Sequence, residues 1–308
     1  MSNNIYDLII IGAGPAGMTA GIYAGRKEMK TLILSKDVGG QMAKTAIIEN
    51  HPGEIITDGV ALAFKIKEQV EKTGVDFETQ TIKSIKSTKD DMFEVESESG
   101  QKYITKSVIL AFGLARRKLG LDNEKDFEGK GLVYCVTCDG PLFKDKPVAV
   151  VGASNAGAEA AEFLAKICPK VYWIEMTDKI NADKILADRV TKLKNVKVLL
   201  SSQITELVGE SKLERIILRQ AQGDTSLEVS GLFVEIGYVP QSEWIKDLVA
   251  LDKGGQIKIN ELCQTNVPGI FAAGDCATTK YKQIVIAEGE GATAALEAYE
   301  YINKISKL

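Results

Sequence analysis

Residues 7–17 of this 308-residue chain read DLIIIGAGPAG. Residues 7–11 form a nearly continuous apolar run that is typical of a strand buried on both faces of a parallel sheet. The glycine turn after it opens an Ala- and Gly-rich helical segment that reaches about Gly25. In such a strand, turn and helix, Gly12 permits the tight turn, Gly14 lets the backbone approach a pyrophosphate, and Gly17 lets helix and strand pack closely. The stretch therefore predicts a dinucleotide-binding fold.

The same pattern occurs again 140 residues later, where residues 147–157 read PVAVVGASNAG. A second helix is expected over residues 158–167, ending before Pro169. Ser154 stands at the middle glycine position, so its side chain lies where the backbone would approach a pyrophosphate. We predict an α/β fold with two Rossmann-like three-layer nucleotide-binding domains, the second inserted in the first. Two such turns imply two nucleotides, or one cofactor and its electron donor.

The residue that ends the strand after each turn bears on nucleotide choice, because an acidic residue there holds the adenine-side ribose. The first of these strands, residues 31–34, ends at Ser35 rather than at an acid. The second, residues 171–174, ends at Glu175. A carboxylate at that position accepts from a ribose 2′-hydroxyl and repels a 2′-phosphate, so NADH suits the second site better than NADPH. The alternative is that Glu175 merely ends its strand at solvent.

Cys135 and Cys138 lie in the stretch CVTCDG, residues 135–140. Two cysteines at this spacing can close a small disulfide ring and act as a dithiol exchange centre. The other interpretations are half of a zinc site, which a chain with one His supports poorly, or inert burial. Cys168, Cys263 and Cys276 are expected to be buried as small apolar residues. For Cys276, which follows Asp275, the alternative is a position near a cofactor.

Bulk composition narrows the class of protein. Lys and Arg total 38 against 42 Asp and Glu, so no basic field indicates binding to nucleic acid or to an anionic membrane. No apolar run approaches the roughly 20 residues of a spanning helix. The first residues carry no secretion signal, and the sparse cysteines suit a reducing compartment, so we expect a cytoplasmic protein. The single His, His51, is expected to be a satisfied loop or interface imidazole.

Together these stretches resemble the low-molecular-weight thioredoxin reductases over essentially the whole chain. The motifs occur in the family's order, as GAGPAG at 12–17, GGQ at 39–41, NHPG at 50–53, CVTCDG at 135–140 and AAGD at 272–275. The resemblance implies an FAD-binding domain formed by residues 1–116 and 246–308, and a nucleotide-binding-like domain, residues 117–245, that carries the cysteine pair. It also implies a homodimer in which rotation of the inserted domain presents the disulfide alternately to flavin and to thioredoxin.

The resemblance implies roles for individual residues. Cys138 would face the flavin, Cys135 would attack the disulfide of thioredoxin, and Asp139 would protonate a departing thiolate, which requires a pKa raised by partial burial. The residues implied to bind FAD are Gly12, Gly14, Pro15, Ala16, Gly17, Ser35, Gly39, Gly40, Gln41, Asn50, Gly274, Asp275, Lys282, Gln283 and Ile284. Those of the second nucleotide site are Gly152, Ser154, Asn155, Ala156, Gly157 and Glu175.

Three departures from the family concern the donor and one flavin contact. Phe112 stands where the family has Thr, Ser154 interrupts the second turn, and residues 174–178 (IEMTD) replace the Arg-rich clamp for the NADPH 2′-phosphate. We therefore expect an FAD-dependent thioredoxin-disulfide reductase whose donor is NADH, ferredoxin or a deazaflavin rather than strictly NADPH. The alternatives are a flavin-dependent dithiol oxidase and a flavin-binding redox sensor. A peroxide-reductase flavoprotein is less expected, because its extra N-terminal domain with a second Cys-x-x-Cys is absent.

Overall fold

The computed structural model of the chain describes residues 5–45 and 48–306. The chain divides into two compact units, Met1–Ala115 with Val239–Leu308, and Arg116–Tyr238. The resemblance implied that the second change of domain falls at 245/246. Trp244 packs its ring on Phe112, with centroids 5.7 Å apart, and Ile245 is buried in the core of the first unit, so the chain rejoins that unit before these residues. The assignment of a cofactor to each domain stays a prediction.

The first unit is organised around a mainly parallel sheet. Its described strands and helices are β1 Ile5–Ala13, α1 Pro15–Arg26, β2 Thr31–Val38, α2 Gly59–Glu71, β3 Asp76–Thr79, β4 Ile82–Ser87, β5 Phe93–Ser97, β6 Lys102–Leu110, β17 Ile270–Ala272 and α7 Ile284–Ile305, with 3-10 turns at Met42–Lys44, Glu243–Ile245 and Gly274–Cys276. The sheet runs in the order β3-β2-β1-β6-β5-β4, and β17 also pairs with β6. The pairs β1·β2, β1·β6, β2·β3 and β6·β17 are parallel.

The central strand β1 is buried on both faces, as its apolar run predicts. Leu8 and Ile10 belong to the core beneath α1, α2 and α7. Ile9 and Ile11 belong to the core on the opposite face of the sheet. Alternation along a strand places successive side chains on opposite faces, so the four apolar residues 8–11 supply both cores. The carboxyl end of β1 is thereby fixed at the edge of the sheet where the glycine turn begins.

The second unit is a continuous stretch of chain. Its elements are α3 Glu124–Phe127, β8 Leu132–Val133, α4 Val136–Asp139, a 3-10 turn at Gly140–Phe143, β9 Val148–Val151, α5 Asn155–Ala165, β10 Val171–Ile174, α6 Lys184–Thr191, β11 Val196–Leu199, β12 Gln203–Val208, β13 Arg215–Gln220, β14 Gly223–Glu228 and β15 Gly231–Val234. Where the chain passes between the units, β7 Ala115–Arg116 pairs with β16 Tyr238–Val239.

The second unit has three layers. Its parallel sheet runs β11-β10-β9-β15-β8, and the strands β12-β13-β14 form a separate antiparallel sheet. Val148 and Val150 of β9 pack toward α5 and α6, whereas Ala149 and Val151 pack toward the antiparallel sheet. The predicted α/β class with Rossmann-like parallel sheets is confirmed. Within the described ranges, no helix combines the length and the hydropathy that crossing a bilayer requires.

Glu124 is a buried carboxyl that holds the start of the second unit together. It accepts from the backbone N–H groups of Leu119 at 3.0 Å and Gly120 at 2.9 Å, and from the Tyr134 hydroxyl at 2.6 Å. Burial would raise the pKa of Glu124, but these hydrogen bonds and Lys118 lower it below its ordinary value. The ionised form therefore stabilises the fold above the unfolded-state pKa of about 4.3.

We expect Glu124→Gln to lower the free energy of unfolding near neutral pH by about 2 kcal/mol, since two backbone donors lose a charged acceptor. The loss should shrink as pH falls through the depressed folded-state pKa, because wild type then loses the same charge. Thermal unfolding followed by circular dichroism at several pH values measures this. Glu128→Gln is the control, because the exposed Glu128–Lys118 pair contributes little. A pH-independent difference would contradict the prediction.

Candidate functional site

The first glycine turn has the geometry that its sequence predicts. β1 ends at Ala13 and α1 begins at Pro15. Gly12 has a φ of +108°, and a Cβ on it would lie 2.3 Å from the carbonyl oxygen of Ala111. Gly17 lies so close to the Gly12 carbonyl oxygen that a Cβ would be 1.8 Å from it. Only glycine fits these two positions, and the helix start is held directly against the strand end.

Open space lies in front of the N-terminus of α1. Gly14 precedes the helix, no side chain caps it, and a Cβ on Gly14 would meet no atom within 4 Å. The predicted residues Gly39 and Gly40 both have positive φ, and the atom nearest to a Cβ on Gly40 is the Cα of Gly14, at 3.6 Å. A helix N-terminus with unbonded N–H groups, bordered by residues without side chains, fits the pyrophosphate of FAD.

Ser35 ties this turn to β2. Its buried hydroxyl accepts from the backbone N–H of Ala13 at 3.1 Å and donates to the carbonyl oxygen of Asp37 at 2.7 Å. The side chain at the end of the second strand therefore supports the glycine turn itself. The implied contact of Ser35 with FAD stays a prediction.

Residues from distant parts of the chain meet beside the first turn. The Asn50 amide donates to the side-chain oxygen of Gln283 at 3.2 Å, across 233 positions of sequence. Gly274 lies against Ala16, because a Cβ on it would be 2.9 Å from the Ala16 Cβ. Ile284 follows Gln283 as the first residue of α7. The structure thus shows direct contacts between residues of the implied FAD set that lie far apart in the sequence.

Two charged groups of the predicted FAD set are partly removed from water. Burial raises the pKa of Asp275, an effect that Lys282 opposes and Glu290 reinforces. Burial also lowers the pKa of Lys282, whose ammonium donates to the backbone oxygens of Asp275 at 3.0 Å and Ala277 at 2.7 Å. A half-buried carboxyl at this position can accept from a cofactor hydroxyl, and that contact of Asp275 stays a prediction. The Gln41 amide donates to the carbonyl oxygen of Leu114 at 3.0 Å.

Sequence reasoning missed Glu290, a carboxylate of α7. It accepts from the backbone N–H of Gly274 at 2.7 Å and from the Thr279 hydroxyl. It therefore fixes the turn that carries Asp275. The available signal was an acidic residue within the small-residue stretch EGEGATAA, residues 288–295.

His51 is satisfied at only one of its two ring nitrogens. Nε2 lies 3.1 and 3.2 Å from the two carboxylate oxygens of Glu288, whereas Nδ1 is buried with no partner in the described part of the chain. The imidazole lines a cavity of about 380 Å³ together with side chains of α1, α2 and α7. The expectation of a satisfied loop imidazole therefore holds for Nε2 and not for Nδ1.

Cys135 and Cys138 form a disulfide, with their Cα atoms 5.3 Å apart. Cys135 precedes α4, and its sulfur accepts from the Cys138 N–H at 3.3 Å. Cys135 is half-buried and Cys138 is exposed. Gly140, just after α4, packs so closely on Phe163 of α5 that a Cβ would be 2.8 Å from the ring. The disulfide thus lies at the surface of the second unit, beside the helix that begins at the second glycine turn.

The remaining cysteines are buried thiols, as predicted. Burial raises the pKa of Cys168 to about 11 and those of Cys263 and Cys276 to about 12. Thiols of this kind hold little thiolate near neutral pH and react slowly. Asp139, the predicted acid, is half-buried and makes no side-chain hydrogen bond to the described residues. The dithiol chemistry therefore rests on the one bonded pair.

The second glycine turn is built like the first, but its helix starts earlier than predicted. α5 begins at Asn155 rather than at 158, and Ser154 precedes it without capping it through its side chain. A Cβ on Gly157 would lie 1.8 Å from the Gly152 carbonyl oxygen, as at Gly17. Asn155 exchanges two hydrogen bonds with Asp183, at 2.7 and 2.9 Å. Ala156 is exposed, so the helix N-terminus is accessible.

Glu175 occupies the position in the second unit that Ser35 occupies in the first. One of its oxygens accepts from the Ala153 N–H at 2.8 Å, and the other accepts from the N–H and hydroxyl of Thr177 at 3.0 and 3.2 Å. These bonds hold both carboxylate oxygens at the turn, and the contact of Glu175 with a ribose stays a prediction. The bonds fix a negative charge beside the turn, where the carboxylate can accept from a ribose hydroxyl and would repel a 2′-phosphate.

Curated relatives match nearly all of the chain. An NADH dehydrogenase of Ferdinandcohnia aciditolerans is 40% identical over 300 residues, which cover 96% of this chain and 57% of the relative. The F component of the alkyl hydroperoxide reductase of Escherichia coli is 40% identical over 303 residues, covering 96% of this chain and 58% of the relative. The chain thus spans less than two thirds of the length of these relatives.

A solved structure and a family description agree with the architecture. The thioredoxin reductase of Lactococcus lactis superposes with a TM-score of 0.83 at 35% identity, covering 97% of this chain and 99% of that one. The resemblance to low-molecular-weight thioredoxin reductases is confirmed at the level of the family, whose members bind FAD and NAD(P)H. Residues 6–291 match the description "pyridine nucleotide-disulphide oxidoreductase". The chain belongs to this family of flavin-dependent oxidoreductases.

Proposed function

We propose that the chain is an FAD-dependent disulfide reductase that takes electrons from NADH and delivers them to the disulfide of a thioredoxin-type protein domain. The observation that carries the proposal is the Cys135–Cys138 disulfide at the surface of the second unit. The same unit carries the glycine turn with Glu175. A redox disulfide and a nucleotide turn on one unit are the parts that such a relay requires.

FAD, when bound, supplies a two-electron reduction to the disulfide. The Cys135–Cys138 bond takes up the electron pair and one proton and becomes the Cys135 thiolate and the Cys138 thiol. The Cys135 thiolate then attacks the partner's disulfide and forms a mixed disulfide, and the partner sulfur that leaves takes a proton from Asp139. The Cys138 thiol gives its proton to the Asp139 carboxylate and attacks Cys135, which restores the disulfide of this chain. The second partner sulfur leaves and takes a proton from water, so the partner is released as a dithiol. The partner gains two electrons and two protons overall.

NADH is the proposed donor because of the charge at Glu175. Both of its oxygens are held by donors of the turn and of Thr177, so the carboxylate cannot swing away from an approaching 2′-phosphate. An Arg clamp for that phosphate is missing from residues 174–178. Ferredoxin and a deazaflavin remain the alternative donors, and they are outcomes of the test argued in the Discussion.

A homodimer is part of the proposal, and an apolar patch of the first unit supports it. The patch consists of Ile55, Ile56, Val60 and Phe64, of which Ile55 is 94% and Phe64 60% exposed. It lies beside the cavity that His51 lines, which Leu62 of the same helix and the neighbouring Glu54 also border. Exposed apolar side chains grouped in this way mark an interaction surface, and a two-fold axis through the patch would pair it with the same patch of an identical copy.

We expect Phe64→Asp to convert the dimer to a monomer, since a charge buried on both sides of a two-fold interface is costly. Sedimentation velocity measures the change directly. Ile185→Asp is the matched control, because Ile185 is 79% exposed on α6, outside the patch. A monomeric wild type, or a Phe64→Asp variant that stays dimeric, would refute this interface.

A second candidate is delivery of electrons to a peroxide-reducing partner. The 40% identity with the F component of the Escherichia coli alkyl hydroperoxide reductase favours it more than the sequence alone did. The dithiol chemistry is the same, and only the acceptor protein differs.

The test supplies NADH anaerobically and measures the thiols formed on an oxidised thioredoxin, and in parallel on an oxidised peroxidase of the thiol type. Catalytic thiol formation on thioredoxin supports the first candidate, and formation on the peroxidase alone supports the second. In a separate aerobic assay, rapid oxygen uptake with a small dithiol and no protein acceptor would instead indicate a dithiol oxidase. Flavin reduction without thiol formation in the first assay, together with no oxygen uptake in the second, would count against all three enzymes and would leave the redox sensor.

A further inference from the structure

The strand order of the second unit reverses beside the second glycine turn. From β9 the chain passes through α5 to β10 and then to β11 on one side, whereas β15 returns to pair with the other side of β9. Open parallel sheets bind dinucleotides at such a switch point, outside the carboxyl ends of the strands. The residues that follow the two strand ends here are Gly152 and Glu235.

The backbones at these two strand ends touch. The N–H of Glu235 donates to the carbonyl oxygen of Val151 at 2.8 Å. Gly152 has a φ of +110°, and a Cβ on it would lie 2.2 Å from the carbonyl oxygen of Glu235. The side chain of Glu235 therefore starts within a few atoms of the turn that faces the pyrophosphate.

Glu235 is a largely, but not fully, buried carboxyl with an incomplete set of partners. Its side chain is 12% exposed, and one oxygen lies 3.4 Å from the Arg116 guanidinium. No described group donates to the other oxygen. Burial raises the pKa of Glu235, which Arg116 opposes and Glu159 of α5 reinforces. The Arg116 guanidinium is also engaged by Tyr238, at 5.5 Å from the ring centroid.

A carboxyl in this state costs free energy in the fold, since a buried charge with one long contact is poorly compensated. Glu124 in the same unit shows the contrast, because three donors satisfy it. An acceptor left open at a switch point is suited to a ligand that brings its own donor. The hydroxyls of a ribose are such donors.

We propose that Glu235 is a specificity-determining residue of the second nucleotide site, where it accepts a hydrogen bond from a hydroxyl of the nicotinamide-side ribose. Glu175 and Glu235 then flank the glycine turn, one at the end of each strand beside β9, and each binds one ribose of the dinucleotide. The inference rests on the proposed function, because it requires a nicotinamide donor.

The test titrates the FAD-loaded protein calorimetrically with NAD⁺ and, separately, with 5′-ADP, which lacks the nicotinamide-side ribose. Glu235→Leu should weaken NAD⁺ binding by about tenfold, the loss of one charge-assisted hydrogen bond. Glu235→Gln, which keeps an oxygen acceptor and the side-chain volume, should give a smaller loss. Both variants should bind 5′-ADP within about twofold of wild type. Flavin absorbance and circular dichroism report whether each variant is folded.

Glu159→Gln is the matched control, because it removes a neighbouring negative charge from an exposed position of α5. It should leave the affinity for both ligands unchanged. Unchanged NAD⁺ affinity in both Glu235 variants would overturn the inference. Equal losses for NAD⁺ and 5′-ADP would overturn it as well, since Glu235 would then support only the turn. A wild type that does not bind NAD⁺ would refute the proposed donor itself, and would be recognised before any variant is measured.

Discussion

Cys135→Ser and Cys138→Ser should each abolish disulfide reduction, lowering turnover by at least about a thousandfold, as loss of a nucleophile does. Both sulfurs are needed, because one forms the mixed disulfide and the other resolves it. The assay is thiol formation on oxidised thioredoxin with NADH under anaerobic conditions. The flavin should stay bound and should still be bleached by the donor, since the residues of the first glycine turn lie in the other unit.

Cys168→Ala provides the control for removing a thiol. Cys168 is buried, and its sulfur donates to the carbonyl oxygen of Phe143 at 3.3 Å, so this variant changes packing and not the exchange reaction. It should keep turnover within about threefold of wild type, at a modest cost in stability. Full turnover in either serine variant would show that the cysteine pair takes no part in the reaction.

NADH should reduce the flavin at concentrations about a hundredfold lower than NADPH. Two like charges about 4 Å apart near a protein surface repel each other by roughly 1 to 4 kcal/mol, which corresponds to a difference in affinity of about fivefold to a thousandfold. Glu175 supplies the fixed charge, held by the Ala153 and Thr177 N–H groups. The measurement is an anaerobic titration of the oxidised protein with NADH, NADPH and reduced ferredoxin in turn, followed by flavin absorbance.

Glu175→Gln should reduce the ratio between the NADPH and NADH concentrations needed to reduce the flavin to within about tenfold. The substitution removes the charge and keeps an oxygen that can accept from the Ala153 N–H. Glu210→Gln, the same change at an exposed position between β12 and β13, should not alter the preference. Prompt bleaching by stoichiometric NADPH would refute the role of Glu175. Bleaching by ferredoxin alone would exclude both nicotinamides as the donor.

The parts of the fold that short-range sterics fix could be predicted from the sequence. A positive φ and a carbonyl oxygen at contact distance leave only glycine at Gly12, so the turn and its two flanking elements follow from six residues. The strand predicted at residues 171–174 matches β10. The start of α5 was missed by three residues, because Asn155, Ala156 and Gly157 carry no apolar periodicity that would mark a helix.

The parts of the site that depend on long-range contacts could not be predicted. The Asn50–Gln283 hydrogen bond joins residues that no local pattern relates. The Glu290 carboxylate accepts from the Gly274 N–H, and the Glu235 N–H donates to the Val151 carbonyl oxygen, so only the folded sheet places these two residues at their turns. The resemblance placed Asn50 and Gln283 in one FAD site, but their bond to each other, and the half-satisfied ring of His51, emerged only from the folded structure.

The division of the chain also sets an order of events during synthesis. Residues 116–238 form a continuous unit, so the second unit can close its core while the ribosome is still making the rest of the chain. The first unit cannot. Its strand β6 cannot pair with β17, and its helix α1 cannot pack against α7, until the last part of the chain has been made, because α7 ends at Ile305. The redox disulfide therefore belongs to a unit that can fold while the first unit, including the space in front of the N-terminus of α1, is still incomplete and accessible to solvent and chaperones.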